Sequence, residues 1–593
     1  METSHQTSRR RLSTSQLSYP NHTLGDIADL SFVRLGRVGR DKDLGPLLHP
    51  RQPLSKARQT VLVCCLLLGF LFSTVDTCIV SIPLLAISKE FDDFTSSTWV
   101  ILAYLLTYMA FATGIAQLSD IYGRRNLLLL SWTIFIAFSM GCGAATSMPV
   151  LIICRGFQGF GGSGLYSIAQ ISIVEIGPGH RPGLVGAMMG GVLACAFICG
   201  PLFGGLITQS ASWRWIFNIN IPFGLVALGA ISCFWPQEPQ MAKILTWSAF
   251  VSIDFVGGLS LLSASGFLAY GLQRGGSYAA AWDNPEIVTA LTIASICWAV
   301  FFTWEYLLAK KHFPHIQPLF PIRLATERVY MTGLLVTLLT GFPFVPLTIN
   351  IPQRFQIIYG DEPLKAGVHL LPMLGACALG SFASGAICSK RNFLCWILMA
   401  AASLQLMGLG LMSTLDDPDE SVRQSYVYQT IFGLGTGLVF SAATILAAVK
   451  TMAHNDLAVA NGAMAQARVL GGCIGIAVST VIFNTHFNTA LREQLTPQQM
   501  SDLHRSPSSA TQWPDEARGA VREVYATAYS EELKVLMYVA VGTLVVSLFT
   551  YEKNPTSIHE AVAAAKERND KHHSPETDLS DLGSLRSTRI AEA

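Results

Sequence analysis

The sequence predicts an all-α membrane protein crossing the bilayer about fourteen times, and three observations carry that prediction. Residues of the set AVILMFWYC make up 51% of the 593 positions and only 13% are charged, whereas a soluble chain carries about 25% charged residues. The apolar residues gather into runs of roughly twenty, the length an α-helix needs to cross a hydrocarbon core. The short loops between the runs alternate between acidic and basic.

The same numbers exclude other classes. A soluble multidomain enzyme would lack the charge to cover its surface, and 32 Phe, 16 Tyr and 11 Trp are too many for a disordered polymer. The balance of 40 Lys and Arg against 39 Asp and Glu gives no indication of nucleic-acid binding. The 13 cysteines lie mostly singly inside apolar runs (Cys64, Cys65, Cys142, Cys195, Cys199, Cys473), without metal-ligand spacing. They read as small core hydrophobes, so no metal and no cofactor is expected.

Residues 1–58 are polar and basic and contain no apolar core before a small-residue cleavage site, so the first apolar run is expected to be a retained span. The first seven spans read as 60–82, 97–117, 127–146, 150–173, 184–207, 215–234 and 252–272. The second seven read as 286–308, 330–352, 366–388, 393–412, 426–449, 459–482 and 533–551. Odd-to-even loops carry acids (Glu90, Asp92, Asp93; Asp361, Glu362; Asp416, Asp417, Asp419, Glu420). Even-to-odd loops carry bases (Arg124, Arg125; Arg181; Lys243; Lys310, Lys311, Arg323, Arg328; Lys390, Arg391; Lys450). Cytoplasmic loops are the ones enriched in Lys and Arg, so both termini are expected in the cytoplasm and 486–532 outside.

Four constellations carry chemistry. Ala116-Gln117-Leu118-Ser119-Asp120-Ile121-Tyr122-Gly123-Arg124-Arg125-Asn126 pairs an acid with two arginines around a glycine turn. Such a loop can lock helix bundles by charge-assisted hydrogen bonds in one state and release them in another. Arg155 opens Arg155-Gly156-Phe157-Gln158-Gly159-Phe160-Gly161-Gly162-Ser163-Gly164 inside a span, where an arginine costs at least about 2.5 kcal/mol and tends to be paired. Gly159, Gly161 and Gly164 fit a dinucleotide-binding spacing, but without a preceding strand they read as sites of close helix approach.

Asp76 in the first span lies about as deep as Arg155, both about 9 Å from the boundary marked by Pro83 and Pro149. Depth lets them meet, either as a proton-responsive pair or as a static structural one. Gly200-Pro201-Leu202-Phe203-Gly204-Gly205 combines a helix-bending proline with glycines that permit tight packing. Arg468, about 15 Å inside the thirteenth span, either meets a substrate near the midplane or bonds neighbouring carbonyls.

The loop after span 2 resembles the signature loop of the major facilitator superfamily, with Ala116 and Ile121 departing from its usual glycine and basic residue. The Arg155 and Gly200-Pro201 segments resemble the fourth- and fifth-helix motifs of proton antiporters in that superfamily. Trp213-Arg214-Trp215-Ile216-Phe217-Asn218-Ile219-Asn220-Ile221-Pro222-Phe223-Gly224 and Asp76-Thr77-Cys78-Ile79-Val80-Ser81 are similar to signatures of its fourteen-span drug:proton antiporter family, especially fungal members. Ile253-Asp254-Phe255-Val256-Gly257, Ala366-Gly367-Val368-His369-Leu370-Leu371-Pro372 and Arg468-Val469-Leu470-Gly471-Gly472 continue it over residues 60–551.

The resemblance implies a major facilitator fold of 14 transmembrane helices, two six-helix bundles plus two inserted linking helices. Its parts would be a cytoplasmic tail 1–58, a first bundle 59–234, linking helices 235–310, a second bundle 311–551 and a tail 552–593. It implies export of a drug, toxin or secondary metabolite in exchange for protons, by a monomer in the plasma membrane. A proton-coupled importer of an iron chelate or amino acid, or a vacuolar transporter, is the alternative. Asp76 and Arg155 would couple protons, Asp120, Gly123, Arg124 and Arg125 would gate, and Gly200, Pro201, Gly204 and Gly205 would form the antiporter helix motif. Tyr104, Gln158 and Arg468 would face the substrate cavity. No G-x-x-x-x-G-K-[ST] element offers ATP drive.

Overall fold

A computed structural model describes residues 55–94, 96–176, 182–236, 254–275, 282–310, 316, 318–320, 322–388, 392–415, 422–451, 457–491, 495–496, 498–500, 503, 513–553 and 555. The tails, the loop at Ser389 to Arg391 and most of 486–514 lie outside them. Every regular element among the described residues is a helix. The first half runs α1 (Lys56–Ile79), α2 (Leu84–Glu90), α3 (Trp99–Tyr122), α4 (Arg124–Gly143), α5 (Met148–Ile176), α6 (Pro182–Ser210), α7 (Trp215–Asn218) and α8 (Asn220–Phe234). Then follow α9 (Phe255–Gly275), α10 (Pro285–Ala309), α11 (Ile322–Thr326), α12 (Arg328–Ile358) and α13 (Pro363–His369). The chain closes with α14 (Leu371–Cys388), α15 (Leu394–Met412), α16 (Val422–Thr451), α17 (Leu457–Leu491) and α18 (Asp515–Leu548). Eleven helices among the described residues are long and apolar enough to cross a membrane, so this is a multi-pass membrane protein.

Local chemistry sets several helix ends. Ser55 starts α1 by accepting from the Arg58 amide, and Asn284 with Pro285 starts α10. Between α3 and α4 the chain turns on Gly123 alone, whose φ of 88° is left-handed and disfavours a side chain.

Packing repeats along the chain. In the first half α1 lies on α6, α3 on α5 and α4 on α8; in the second, α12 lies on α17, α14 on α16 and α15 on α18. The anchors repeat too. Arg58 at the start of α1 donates to the carbonyls of Phe234 and Trp235, and Arg328 at the start of α12 donates to those of Phe549 and Tyr551. Each arginine satisfies carbonyls that a helix C-terminus leaves open, at its negative dipole end. The halves meet where α3 contacts α17 and where α6 contacts α13 and α14, and α9 also lies on α17.

Two expectations change in detail. The sixth run breaks at Ile219 into α7 and α8. The segment expected as a loop before residue 533 is helical from Asp515, because Val521, Val524, Tyr525 and Ala528 recur at helical spacing. They bury themselves against Phe483, Phe487 and Leu491 of α17, with the Phe483 and Tyr525 rings 4.6 Å apart.

Candidate functional site

Asp76 sits in the last turn of α1 and Arg155 in the second turn of α5, and the two side chains form an ion pair. Asp76 is 2% exposed and Arg155 1%. The glycines after Arg155 make the meeting feasible: a side chain at Gly161 would stand 2.7 Å from the Phe135 amide nitrogen of α4, so α5 reaches its neighbours only without one.

A ring of polar groups surrounds the pair. Arg155 Nε donates to the Val100 carbonyl at 3.0 Å, and its Nη1 also donates to Gln158 Oε1 at 2.8 Å. Gln158 Nε2 donates to Asp76 Oδ1 at 3.3 Å and to Ser139 Oγ at 2.7 Å. Asn220 Nδ2, from the start of α8, reaches Ser139 Oγ at 3.1 Å and Asp76 Oδ1 at 3.5 Å. The guanidinium lies 4.2 Å over the Tyr104 ring and 5.6 Å from the Phe217 ring, and Tyr104 Oη donates to the Ser73 carbonyl. Five long segments, α1, α3, α4, α5 and α8, thus converge on one carboxylate.

Tyr104 and Gln158, expected in the substrate cavity, belong to this network and are fully buried. Ser139 and Asn220 were not singled out from the sequence. The available signal was their polarity in apolar helices, where an unpartnered amide is costly. Arg468 stands elsewhere, half-buried on α17, with its guanidinium 4.4 Å over the Phe440 ring.

Gly200 and Gly204 bring α6 onto the end of α1: a side chain at Gly204 would stand 2.6 Å from the Ile79 carbonyl oxygen. One residue on, and so on another face of α6, a side chain at Gly205 would stand 2.6 Å from the Pro363 carbonyl oxygen of α13. From the other side, Gly367 presses on the carbonyl of Pro201. The motif therefore touches both the helix of Asp76 and the second half of the chain. On the same side, Glu90 accepts from Trp213 Nε1 at 2.6 Å and from Arg214 at 2.7 Å, tying the Trp213-Arg214 pair to α2.

At the opposite end, Arg124 is buried and donates to Ser119 Oγ and to the Ala116 carbonyl. Arg125 donates to the Ser232 carbonyl at 2.7 Å. The Asp120 side chain lies outside the described residues.

An all-helical chain with repeated halves, a buried acid-arginine pair and a short basic loop between its second and third long helices is built as a membrane transporter. The Major Facilitator Superfamily profile matches residues 64–476, and the chain belongs to that superfamily. It is 34% identical to the MFS-type transporter FPY5 of Fusarium mangiferae over 84% of each chain. It is 28% identical to the efflux pump dotC of Dothistroma septosporum over 86% of this chain and 87% of that one. In fold it is similar to a bacterial homologue of the human lysosomal transporter Spinster, with a TM-score of 0.56 at 14% identity, covering 84% of this chain and 97% of the other.

Proposed function

We propose that the chain exports a small organic compound in exchange for protons, with Asp76 as the carboxylate that takes up and releases the proton. The observation that carries this is the ion pair of Asp76 and Arg155, sealed from solvent and contacted by polar side chains of α4, α5 and α8. Purely structural packing could use neutral groups at lower desolvation cost. Protonating the carboxylate removes its attraction for Arg155, which frees α5 to move against α1. Motion of α1 is passed to α6 through Gly200 and Gly204, and from α6 to the second half through Gly205. Arg155 is the electrostatic partner, and Arg124, Arg125 and Asp120 form the gate at the basic-loop end.

The same reading takes fourteen crossings: the eleven apolar helices and also α3, α5 and α18, which at 24, 29 and 34 residues are long enough to span. It sets bundles at 59–234 and 311–551 around linking helices in 235–310, both termini in the cytoplasm, and a monomer in the plasma membrane. Relatives named as efflux pumps favour export over import. On this reading Arg468, on the helix α17 that contacts both α3 and α9, meets the substrate.

The test is transport by the purified full chain in proteoliposomes, using a panel of lipophilic ring-containing dyes and fungal metabolites. An imposed pH gradient should drive accumulation that a protonophore abolishes. Uptake insensitive to the protonophore would refute proton exchange.

A further inference from the structure

Glu532 of α18 is another carboxylate buried between helices, and the network around Asp76 does not include it. It is 1% exposed, and no basic side chain forms an ion pair with it among the described residues. Asn350 Nδ2 of α12 donates to its Oε1 at 2.5 Å. Glu532 lines a cavity of about 50 Å³ together with Gln353, Ser479, Thr480 and Asn484 and, from the acidic loop of the first half, Phe94 and Thr98. Tyr529, which also lines the cavity, is 3% exposed and its hydroxyl has no hydrogen-bond partner among the described residues.

The charged and titratable groups nearby leave Glu532 alone. Arg354 of α12 lies 5.0 Å over the Tyr529 ring and donates to the Leu415 carbonyl at 2.8 Å. On the turn that carries Phe94 and Thr98, Asp93 accepts from the Ser96 amide at 2.9 Å. From α17 the cavity receives hydroxyl, amide and apolar groups, and from α18 itself Tyr525 and Tyr529. The adjacent Glu531 is paired with Lys534 at 2.8 Å.

We propose that Glu532 is a second proton-binding carboxylate, reached through this cavity from the acidic-loop end, so that one transport cycle carries two protons. The cavity's size selects the ligand. At about 10–15 Å³ of such volume per water it holds about three to five waters, whereas drug-sized compounds occupy pockets of about 300–1,000 Å³. Its lining of hydroxyl and amide groups can hold those waters and relay a proton. A buried carboxylate without a cation is held more easily as the neutral acid, and binding the proton neutralises it with no other partner required. Asn350 donates to Oε1 and the Ser479 hydroxyl also acts on the carboxylate, so neutral groups steady it and none supplies a cation. Asp76 in the first half and Glu532 in the second then give each half one proton site. The stoichiometry rests on the proton-exchange reading above, while the titration of Glu532 does not.

Infrared pH-difference spectra of the purified full chain in nanodiscs test the site directly. A carbonyl stretch of a buried protonated carboxyl should vanish in Glu532→Gln, return at a shifted frequency in Glu532→Asp, and survive in Asp76→Asn. Identical spectra for wild type and Glu532→Gln would overturn the assignment. So would loss of the band on adding methylammonium at constant pH, which would mark an ammonium site instead. In proteoliposomes poised with opposing gradients, wild type should balance a substrate ratio equal to the square of the proton ratio, and Glu532→Gln to its first power. An unchanged exponent in Glu532→Gln would overturn the two-proton cycle. Protonophore-insensitive wild-type transport would instead remove the exchange reading and leave the spectral result standing.

Discussion

Gln158 donates to the Oδ1 oxygen of Asp76 at 3.3 Å, while Arg155 holds the Oδ2 oxygen. The two oxygens are therefore not equivalent. Among the described residues Oδ1 has only long contacts, the other being Asn220 at 3.5 Å, so under the proposed mechanism it is the oxygen a proton would reach with least disruption. Once protonated there, the carboxyl becomes a donor, and rotation of the Gln158 amide would present an acceptor to it.

Asp76→Asn should fold and bind substrate but fail to accumulate it against a gradient, because an amide cannot take up and release a proton. Exchange of labelled for unlabelled substrate should persist. The measurement is pH-driven transport in vesicles, with binding assayed on the same preparation. Full gradient-driven transport by this variant would remove Asp76 from the proposed mechanism.

Arg155 is held through more than its charge, since its Nε and Nη1 point to different partners and its plane covers Tyr104. Arg155→Lys keeps the charge but loses the planar fork, so partial transport is expected, and Arg155→Ala should be inactive. Gln158→Ala should lower thermal stability by about 1–3 kcal/mol, the cost of leaving buried partners unsatisfied. Thermal unfolding in detergent reads the second effect; wild-type stability in Gln158→Ala would show that the network contributes little.

At the basic-loop end, Arg124 bonds within its own loop and Arg125 bonds the end of α8. Asp120→Asn and Arg124→Ala should slow exchange between the two access states without changing substrate affinity, since the loop and the Asp76 pair lie at opposite ends of the helices. Transport rate and equilibrium binding, measured side by side, check this. Wild-type transport by Asp120→Asn would end the gating assignment.

That the chain is helical and crosses a membrane many times was legible because apolar runs of twenty residues have few other uses. The meeting of Asp76 and Arg155 was legible too, since depth can be counted from Pro83 and Pro149. The partners Ser139 and Asn220 were not. Their helices are apolar on nearly every face, so periodicity does not reveal which side turns inward. The helical stretch from Asp515 to Glu532 was hidden for the opposite reason: its charge masks a buried stripe of Val521, Val524, Tyr525 and Ala528. The matching roles of Arg58 and Arg328 were also invisible, because they are defined by distant carbonyls rather than by a shared local motif.

The contact of Gly205 with α13 leads to the prediction most specific to this structure. At Gly205 any side chain would press on backbone, at 2.6 Å from both the Pro363 carbonyl oxygen and the Leu364 Cα, so neither partner can rotate aside. Gly205→Val should therefore separate α6 from α13 and shift the population toward the form open at the acidic-loop end. Gln209, whose amide donates to Glu362 across the same contact, supplies the reporter. In a background with the exposed Cys64, Cys195 and Cys233 replaced by serine, Gln209→Cys should react faster with a membrane-impermeant maleimide when Gly205→Val is present. A tenfold rise would correspond to a shift of about 1.4 kcal/mol between the two forms. Gly191→Val, on the same helix but at a position where a Cβ would meet no atom within 4 Å, is the control and should leave the rate unchanged. Equal labelling in all three backgrounds would show that this packing does not set which form is populated.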